Sequence, residues 1–399
     1  MSKHLVLVGG GHTHVLVLKA LSKKPIEDLK ITLVSPHLFT PYSGMLPGLI
    51  SGHYSYEDIH IDLHKLSQST RTHFIRSKAI GLDPQQQLLF LENGESLGYE
   101  LISFDTGATP DLSVPGASEH CIPVKPIDQF YRQWTQQLAQ LKQDQLKQDQ
   151  LKQDQLKHTD LNQPLNLSIV GSGAAGVELA LAMRHKLKND TSNNLNTINV
   201  QLVCRGNDIL QGYPTRLKRY VQQKLQRQNI EVFYEFDVAL VKPDSLIAKD
   251  GQHLNSAMTF WCTQARGADW LKQTQLTLSE NGFIEVTPTL QTPDYPQVFA
   301  AGDVAHFRKS PLPKAGVYAV RMADTLTHNI RALLTNSNSG SDTNTNTELV
   351  PYQPQQDFLS LLACGDKSAV GCKYGFTIKG RWVWSLKDRI DRQFMNQFS

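Results

Sequence analysis

The chain has 399 residues, of which 40% are hydrophobic and 19% charged, and a formal net charge of +3. These values are typical of a globular protein, and the length is sufficient for two or three domains. The sequence has no basic patch with interleaved aromatic residues and no apolar run long enough to span a membrane, and we expect its N-terminus not to be a signal peptide. Five cysteines without a C-x-x-C pair suit a reducing compartment. We therefore predict a cytoplasmic protein that has no nucleic-acid partner.

The first predicted element is a strand that leads into a glycine-rich loop, in the run LVLVGGGHTHV at residues 5–15. Gly9 and Gly11 hold the first two positions of the spacing G-x-G-x-x-G, which binds the pyrophosphate of a dinucleotide. The first glycine permits a tight turn, and the second permits a close approach of backbone N–H groups. His14 replaces the third glycine, which normally lets the helix pack closely on the strand. We expect this helix to lie slightly further from the sheet.

Two polar side chains near this loop are candidates for the ligand site. His12 could line it, although a histidine on the first turn of a helix is more often a satisfied structural residue, and the same alternatives hold for His14. The run KITLVSP (30–36) predicts the second strand of a βαβ unit. Ser35 stands near the end of that strand, where an acidic residue usually binds the ribose, and its hydroxyl can still form a hydrogen bond there.

A polar repeat with a leucine every five residues occupies residues 141–160. Five residues advance by about 140° on a helix, so these leucines form no apolar stripe. We interpret the low-complexity insertion 139–160 as a solvated helix or a disordered expansion.

A second glycine-rich loop, in LNLSIVGSGAAGVELALAM, has the complete spacing at Gly171, Gly173 and Gly176. Residues 167–170 predict the strand before it, and residues 174–187 predict the helix after it. The two loops therefore begin two separate βαβ units, which is stronger support for nucleotide binding than one glycine pattern alone.

The next apolar run, INVQLVCR (198–205), ends in Cys204 and Arg205 rather than in an acidic residue. A guanidinium there suits the 2′-phosphate of NADPH. A solvent-facing arginine is an equally good interpretation, so the choice between NADH and NADPH stays open.

A third motif is PQVFAAGDVAHF at residues 296–307. Gly302 allows a close backbone approach, and Asp303 can form a hydrogen bond with a polyol hydroxyl.

A helix predicted over 313–330 follows this motif. Its first amides, near Ala315 and Gly316, and the neighbouring Lys314 could face the pyrimidine edge of a flavin. Such groups would stabilise the anionic reduced form.

Beyond a low-complexity linker at 336–350, residues 351–399 form a separate C-terminal segment that ends in a predicted amphipathic helix. Its apolar seam consists of residues four apart, Trp382, Leu386, Ile390 and Phe394, with Val383 and Met395 beside them. The charged residues predicted to lie away from this seam are Lys387, Asp388, Asp391 and Arg392. One interpretation is a peripheral membrane contact through 380–399, and the others are packing on the first nucleotide-binding domain or a dimer surface.

This ordered set of motifs resembles the two-dinucleotide-binding-domain flavoproteins of the pyridine nucleotide-disulphide oxidoreductase superfamily. The matching runs are the Gly9–Gly11 loop, SFDTGATP (103–110), GSGAAGVELA (171–180) and FAAGDVA (299–305). The resemblance implies an α/β fold with two Rossmann-like domains, the second inserted in the first, and a small C-terminal α+β segment. The implied bounds are 1–115 and 285–335 for an FAD-binding domain, and 116–284 for an NAD(P)-binding domain.

The resemblance also implies site residues. FAD is expected in the first loop, with Asp303 on its ribitol chain, and NADH or NADPH in the middle domain as co-substrate; no metal is expected. Further flavin contacts are implied for Pro41, Gly44, Met45, Leu46, Thr106 and Gly107. Glu178 and Lys314 are the candidate catalytic residues, and Glu178 is expected to position the nicotinamide or relay a proton. The alternative is an acid stabilised only by the helix dipole. Lys125 could reach the site or remain an exposed charge.

Within the superfamily, several runs resemble the branch fused ahead of selenide, water dikinase in some bacteria. These runs are GGGHTHV (9–15), TPYSGMLPGLISGHYS (40–55), IHIDL (59–63), PVKPI (123–127), PKAGVYAVR (313–321) and GRWVWSLKDRIDRQFM (380–395). A histidine at position 14 is usual in that branch. The wider relatives are the type II NADH dehydrogenases and the sulfide:quinone oxidoreductases. Two departures are Gln264, where the superfamily has glycine, and the lack of a C-x-x-x-x-C pair, which argues against a disulfide-reductase mechanism.

The leading functional prediction is an FAD-dependent NAD(P)H oxidoreductase that reduces a quinone or another small acceptor. A peripheral membrane contact through 380–399 would place it at the cytoplasmic membrane face. One alternative is a flavoenzyme acting on a selenium or sulfur compound, for which Cys364 and Cys372 are candidates, although buried inert thiols are the simpler interpretation. Another is a flavin redox sensor with low turnover. The sequence predicts no oligomeric state.

Overall fold

The computed structural model describes residues 3–154, 165–190, 198–336 and 348–398. In chain order its strands are β1 (Lys3–Val8), β2 (Leu29–Val34), β3 (Phe39–Pro41), β4 (His60–Asp62), β5 (His73–Ile75), β6 (Ala79–Asp83), β7 (Leu88–Leu91), β8 (Ser96–Gly98), β9 (Leu101–Phe104), β10 (Thr109–Pro110), β11 (Cys121–Pro123), β12 (Asn166–Val170), β13 (Asn199–Val203), β14 (Ile230–Phe233), β15 (Val238–Lys242), β16 (Ser245–Ala248), β17 (His253–Asn255), β18 (Met258–Trp261), β19 (Ala265–Arg266), β20 (Ile284–Val286), β21 (Val298–Ala300), β22 (Ala305–Phe307), β23 (Ser360–Ala363), β24 (Ala369–Lys373) and β25 (Phe376–Gly380). The helices are α1 (His12–Lys23), α2 (Leu46–Ser51), α3 (Tyr56–Ile59), α4 (Leu63–Ser69), α5 (Ala117–His120), α6 (Ile127–Asp154), α7 (Ala174–Asn189), α8 (Thr215–Arg227), α9 (Gly316–Asn336) and α10 (Arg381–Met395).

The first central sheet has the strand order β21-β9-β1-β2-β5, and all its neighbouring strands are parallel. Strands of such a sheet are apolar on both faces because other elements cover both faces. In β1 the side chains of Leu5, Val6, Leu7 and Val8 are all buried. The carboxyl ends of β1, β2 and β9 meet at one edge, which is where the first glycine loop begins.

The second central sheet repeats this arrangement with the order β11-β18-β12-β13-β14, again parallel throughout. The unit β12-α7-β13 takes the place that β1-α1-β2 has in the first sheet. Each half also has a three-stranded antiparallel meander, β6-β7-β8 or β15-β16-β17, before the strand that returns beside the first. β21 joins the first sheet only after the second is complete, so the predicted fold class, with one Rossmann-like domain inserted in the other, is confirmed. The bounds given for the two domains stay predictions.

The C-terminal segment is an antiparallel sheet, β23-β24-β25, followed by α10. Its strand register separates the two cysteines considered for sulfur chemistry. Ala363 pairs with Ala369 and Ser360 pairs with Cys372, so Cys364 and Cys372 lie four residues, or about 13 Å, apart along the sheet. They cannot form a disulfide in this arrangement.

Helix α10 is amphipathic, and the predicted apolar seam is only partly buried: Phe394 and the flanking Val383 and Met395 are buried, and Leu386 is half-buried. Trp382 and Ile390, which belong to that seam, are 58% and 40% exposed. Lys387 and Asp391, predicted to lie away from it, are buried, together with Val383. The helix turns this face toward polar partners on neighbouring elements, so hydrophobicity alone does not show which side is buried.

Helix α6 contains the first part of the polar repeat, and the rest of the insertion 139–160 lies outside the described residues after Asp154. Most of the predicted linker 336–350 also lies outside them. Across the described ranges, no helix is both long enough and apolar enough to cross a bilayer.

Candidate active site

A cavity of about 380 Å³, which we name the main cavity, opens at the carboxyl edge of the first sheet, where β1, β2 and β9 end. Parallel α/β sheets bind ligands at this edge. The predicted cofactor residues that line it are Gly9, Gly11, His12, Ser35, Pro41, Thr106, Gly107, Asp303 and Gly316. The structure thus brings together residues from three motifs that span about 300 positions of the sequence.

The first glycine loop needs both of its leading glycines. Gly9 has a φ of +94°, and a Cβ there would lie 2.4 Å from the carbonyl oxygen of Asp105. A Cβ on Gly11 would lie 2.3 Å from the carboxylate of Asp105. Helix α1 begins immediately afterwards with His12, which lines the cavity. A helix N-terminus beside a cavity favours an anionic group such as a phosphate.

Asp105 is a cavity residue that the sequence analysis missed. It follows β9 directly, is 3% exposed, and its Oδ2 accepts a hydrogen bond from the backbone N–H of His14 at 3.1 Å. Burial raises the pKa of Asp105 to about 7, and Asp303 acts in the same direction, whereas hydrogen bonds from His14 and Thr13 oppose it. The available signal was an acidic residue at the end of a predicted strand, within the run SFDTGATP.

His14 is fully buried and has a structural role. Its Nδ1 lies 2.7 Å from the carbonyl oxygen of Gly9, and its Nε2 lies 2.8 Å from the Ser103 hydroxyl. A carbonyl only accepts, so Nδ1 donates and Nε2 accepts from Ser103. Burial lowers the pKa of His14 to about 4, which keeps the ring neutral. At the matching position of the second loop, a Cβ on Gly176 would lie 1.7 Å from the Gly171 carbonyl oxygen. The first loop replaces this close packing with a hydrogen bond to the equivalent carbonyl.

An ion pair lies in the cavity wall. Lys125 Nζ is 2.9 Å from Asp303 Oδ2, and both residues line the cavity. Asp303, expected to contact a polyol, is therefore oriented by a lysine from the segment between β11 and α6. Lys125 therefore reaches the cavity and is not only an exposed charge.

Lys314, one of the two candidate catalytic residues, is not among the residues that line the cavity. Its Nζ donates to the carbonyl oxygen of Ala305 at 2.7 Å and lies 3.8 Å from the centre of the Phe283 ring. Burial lowers the pKa of Lys314 to about 8. It directly precedes Ala315 and Gly316, and Gly316 begins α9 at the cavity wall.

Glu178, the other candidate, lies on the first turns of α7 and contacts the C-terminal sheet. Its Oε1 accepts a hydrogen bond from the backbone N–H of Ala363 at 2.7 Å. Burial raises the pKa of Glu178 to about 7, although the nearby Lys387 lowers it. A carboxyl with a pKa near neutrality can both hold and release a proton. Glu178 is outside the lining of the main cavity.

Lys387 and Asp391 form a buried cluster that links α10 to the loop before α2. Lys387 Nζ donates to the carbonyl oxygen of Gly44 at 2.6 Å and pairs with Asp391 Oδ2 at 2.6 Å. The Tyr42 hydroxyl donates to Asp391, and burial raises the pKa of Tyr42. These roles were not predicted from the sequence, because the spacing of the apolar residues places both charges on the exposed side of the helix. Gly44, predicted to contact a flavin, is thus fixed by the C-terminal helix.

The second glycine loop joins β12 to α7 with similar backbone geometry. Gly171 has a φ of +119°, and a Cβ there would lie 2.9 Å from the carbonyl oxygen of Cys262. Helix α7 begins directly after Gly173. Arg205 is exposed in the turn after β13. This loop therefore presents a helix N-terminus at the carboxyl edge of the second sheet, as the first loop does at the first.

The remaining predicted cofactor residues are not among those that line the main cavity. Met45 and Leu46 are buried in the hydrophobic core. Gly302 lies against Asp105, since a Cβ on Gly302 would be 2.3 Å from Asp105 Oδ1. The assignment of individual residues to cofactor contacts and to catalysis stays a prediction.

Comparison with known proteins agrees with this architecture. Residues 3–323 match the pyridine nucleotide-disulphide oxidoreductase family. The chain belongs to this family. It is therefore an oxidoreductase, and the predicted superfamily is confirmed.

Among curated proteins, the chain is 24% identical to the NADH dehydrogenase-like protein YutJ of Bacillus subtilis over 315 residues, covering 77% of this chain and 78% of that one. It is 26% identical to the type II NADH:quinone oxidoreductase of Haemophilus influenzae over 366 residues, covering 84% and 81%. It is 23% identical to the sulfide-quinone reductase of Aquifex aeolicus over 350 residues, covering 83% and 76%. The wider relatives expected from the sequence, type II NADH dehydrogenases and sulfide:quinone oxidoreductases, are thus among the similar proteins.

Two solved structures show the same fold over nearly the full chain. NDH2 of Plasmodium falciparum, in complex with NADH, has a TM-score of 0.80 at 14% identity and covers 100% of this chain and 97% of that one. The sulfide:quinone oxidoreductase of Aquifex aeolicus has a TM-score of 0.78 at 19% identity and covers 99% and 91%.

Proposed function

We propose that the protein is an FAD-dependent NAD(P)H oxidoreductase that delivers electrons to a quinone. The observation that carries this proposal is the repeated strand–glycine loop–helix unit at the carboxyl edge of two equivalent sheets, one of which opens on the main cavity. Two dinucleotides fit two such loops. The relatives named as NADH:quinone and sulfide:quinone enzymes support the quinone as acceptor.

The residues of the first loop fit FAD. The space that a Cβ would occupy at Gly9 or Gly11 is already filled by Asp105, so only glycine lets the backbone follow this path beside a phosphate. The amino end of α1 would bind the pyrophosphate, with Ser35 at the ribose and Asp303 at the ribitol chain. FAD, when bound, supplies the ring that exchanges electrons between a nicotinamide and an acceptor.

The second loop is the proposed site of NADH or NADPH. The amino end of α7 would bind its pyrophosphate, and the exposed Arg205 would lie beside the adenosine ribose. An arginine there favours a 2′-phosphate. We therefore propose that the protein accepts NADPH as well as NADH.

Lys387, on α10, contacts the loop before α2 and lies near the carboxyl of Glu178. Lys387 binds the Gly44 carbonyl and thereby positions this loop. Glu178 is half-buried near the same lysine, and desolvation raises the pKa of its carboxyl to about 7, so that it holds a proton below neutral pH. We propose that Glu178, on the first turns of the helix that follows the second glycine loop, positions the nicotinamide.

Steady-state oxidation of NADH and NADPH, with a short-chain ubiquinone as acceptor and FAD-loaded protein, tests the function. We expect quinone-dependent oxidation of both nucleotides. A parallel assay with sulfide as donor distinguishes the sulfur alternative. Reduction of quinone by sulfide but by neither nucleotide would contradict the proposal.

The C-terminal segment also supports a proposed contact with an anionic membrane surface. Tyr374 and Phe376, at the turn between β24 and β25, are 70% and 78% exposed, and Trp382 is exposed at the start of α10. Lys373, Lys379 and Arg381 lie in the same segment. Exposed aromatic residues with flanking cations are typical of interfacial binding.

Vesicle flotation with and without phosphatidylserine tests this contact. The double variant Tyr374→Ser, Phe376→Ser should lose binding to the vesicles. Equal binding by the wild type and the double variant would refute the proposed contact.

A further inference from the structure

His60 and Asp128 form a buried pair that the proposed function does not use. His60 lies in β4, within the run IHIDL, and Asp128 lies on the first turn of α6. His60 Nε2 is 2.6 Å from Asp128 Oδ1, and the two side chains are 1% and 11% exposed. Tyr56 stacks on the His60 ring at 3.6 Å between centroids, and its hydroxyl lies 3.3 Å from Asp128 Oδ1.

A hydrogen bond between His60 Nε2 and Asp128 Oδ1 requires a proton on one of these two atoms, in addition to a proton on Nδ1. Nδ1 lies 2.6 Å from the carbonyl oxygen of Tyr56, and a carbonyl only accepts, so Nδ1 carries a proton. Nε2 faces a carboxyl oxygen. Either Nε2 also carries a proton, giving an imidazolium and a carboxylate, or Asp128 is protonated and donates to Nε2. A neutral ring beside an ionised carboxylate would leave two acceptors 2.6 Å apart.

The pair also connects two cavities. Asp128 lines the main cavity together with Phe39, Pro41 and Lys125. His60 lines a second, polar cavity of about 290 Å³ on the other side, whose walls carry Glu57, Asp58, Asp62, Lys65 and Arg392. Arg132, on α6, donates to the backbone carbonyl of Asp128 and adds a positive charge near the pair. The proton therefore lies between the proposed redox cavity and a polar cavity with ionisable walls.

We propose that the His60–Asp128 pair, at the wall of the main cavity, is a proton donor to the acceptor that FAD reduces. This inference rests on the proposed function. Reduction of a quinone to a quinol by NAD(P)H consumes one proton beyond the hydride: NAD(P)H, H⁺ and quinone give NAD(P)⁺ and quinol. The extra proton leaves Asp128 as the new O–H bond forms on the acceptor. His60 and Asp128 are then a neutral ring and a carboxylate, and they regain one proton from solvent through the polar cavity.

The variant Asp128→Asn separates this role from a structural one. An asparagine amide can donate to Nε2, so a neutral His60 keeps both of its hydrogen bonds, but the pair no longer holds a transferable proton. We expect NADH oxidation with ubiquinone to fall about 100-fold, as is typical for loss of a general acid. Oxidation with ferricyanide, which takes electrons without protons, should stay within about twofold of wild type. His60→Phe, which preserves the ring stack with Tyr56, should show the same split between acceptors.

Asp324→Asn is the matched control, because it makes the same change at an exposed aspartate of α9 that lines neither cavity; both activities should stay near wild type. A second readout is independent of turnover. In ¹⁵N-histidine-labelled holoenzyme, the His60 nitrogen signals should change between wild type and Asp128→Asn, toward a neutral Nδ1–H ring in the variant. Equal loss with both acceptors, unchanged quinone activity, or unchanged His60 signals would each overturn the inference. Absence of NADH oxidation by the wild type with either acceptor would instead refute the proposed function.

Discussion

The clearest physical prediction concerns Glu178→Gln and the pH dependence of stability. Burial raises the pKa of Glu178 from 4.5 to about 7 in the folded protein. Between these values the folded state keeps a proton that the unfolded chain has lost. The unfolded state then binds fewer protons, so the free energy of unfolding of the wild type falls as pH rises from about 4.5 to about 7.

At 1.36 kcal/mol per pKa unit, the loss through this carboxyl amounts to about 3 kcal/mol above pH 7. Glutamine can still accept the hydrogen bond from Ala363 and does not titrate. The stability of Glu178→Gln relative to wild type should therefore increase by about 3 kcal/mol from about pH 4 to about pH 8. Asp105 also has a raised pKa, but it is present in both proteins and cancels in the difference.

Urea unfolding of both proteins across this pH range measures the effect. Glu95→Gln, at an exposed glutamate, is the matched control and should keep a constant difference from wild type. If Glu178→Gln and wild type differ by the same free energy at every pH, the argument from burial is wrong.

Lys387→Met removes the hydrogen bond to the Gly44 carbonyl, so the thermal midpoint of unfolding should fall. It also removes the cation near Glu178. Because Lys387 lowers the pKa of Glu178, the pH transition assigned to Glu178 should move to higher pH in this variant. Gly9→Ala places a Cβ 2.4 Å from a carbonyl oxygen at a φ of +94°; FAD content after purification should drop severalfold, and retention of full content would contradict the tight-turn argument. Arg205→Ala should raise KM for NADPH about tenfold or more and leave KM for NADH within about twofold, and equal changes for both nucleotides would exclude a 2′-phosphate contact.

The fold class could be predicted from the sequence because it rests on local signals. Each glycine loop is flanked by an apolar strand and a helix within about 30 residues, and the order of motifs fixes which domain is inserted. The replacement of a packing glycine by His14 could not be explained in the same way. Its explanation is the pair of hydrogen bonds to Gly9 and Ser103, and Ser103 lies on a strand that is distant in sequence.

The site was predicted less completely than the fold, for a physical reason. Periodicity shows which side of a helix is apolar, but not whether a neighbouring element offers partners for a charge. Lys387 and Asp391 are buried because the Gly44 carbonyl and the Tyr42 hydroxyl face them. Asp105 could have been suspected from its place at a strand end, whereas the contact between His60 and Asp128 depends on how α6 meets β4.

Anaerobic rapid mixing of the FAD-loaded protein with NADH, followed by addition of a short-chain ubiquinone, tests the proposed function directly. NADH should bleach the flavin absorbance in a single fast phase, and the quinone should restore it before oxygen is admitted. A flavin that NADH and NADPH both leave oxidised, or one that is reduced but not reoxidised by quinone, would contradict the proposed function.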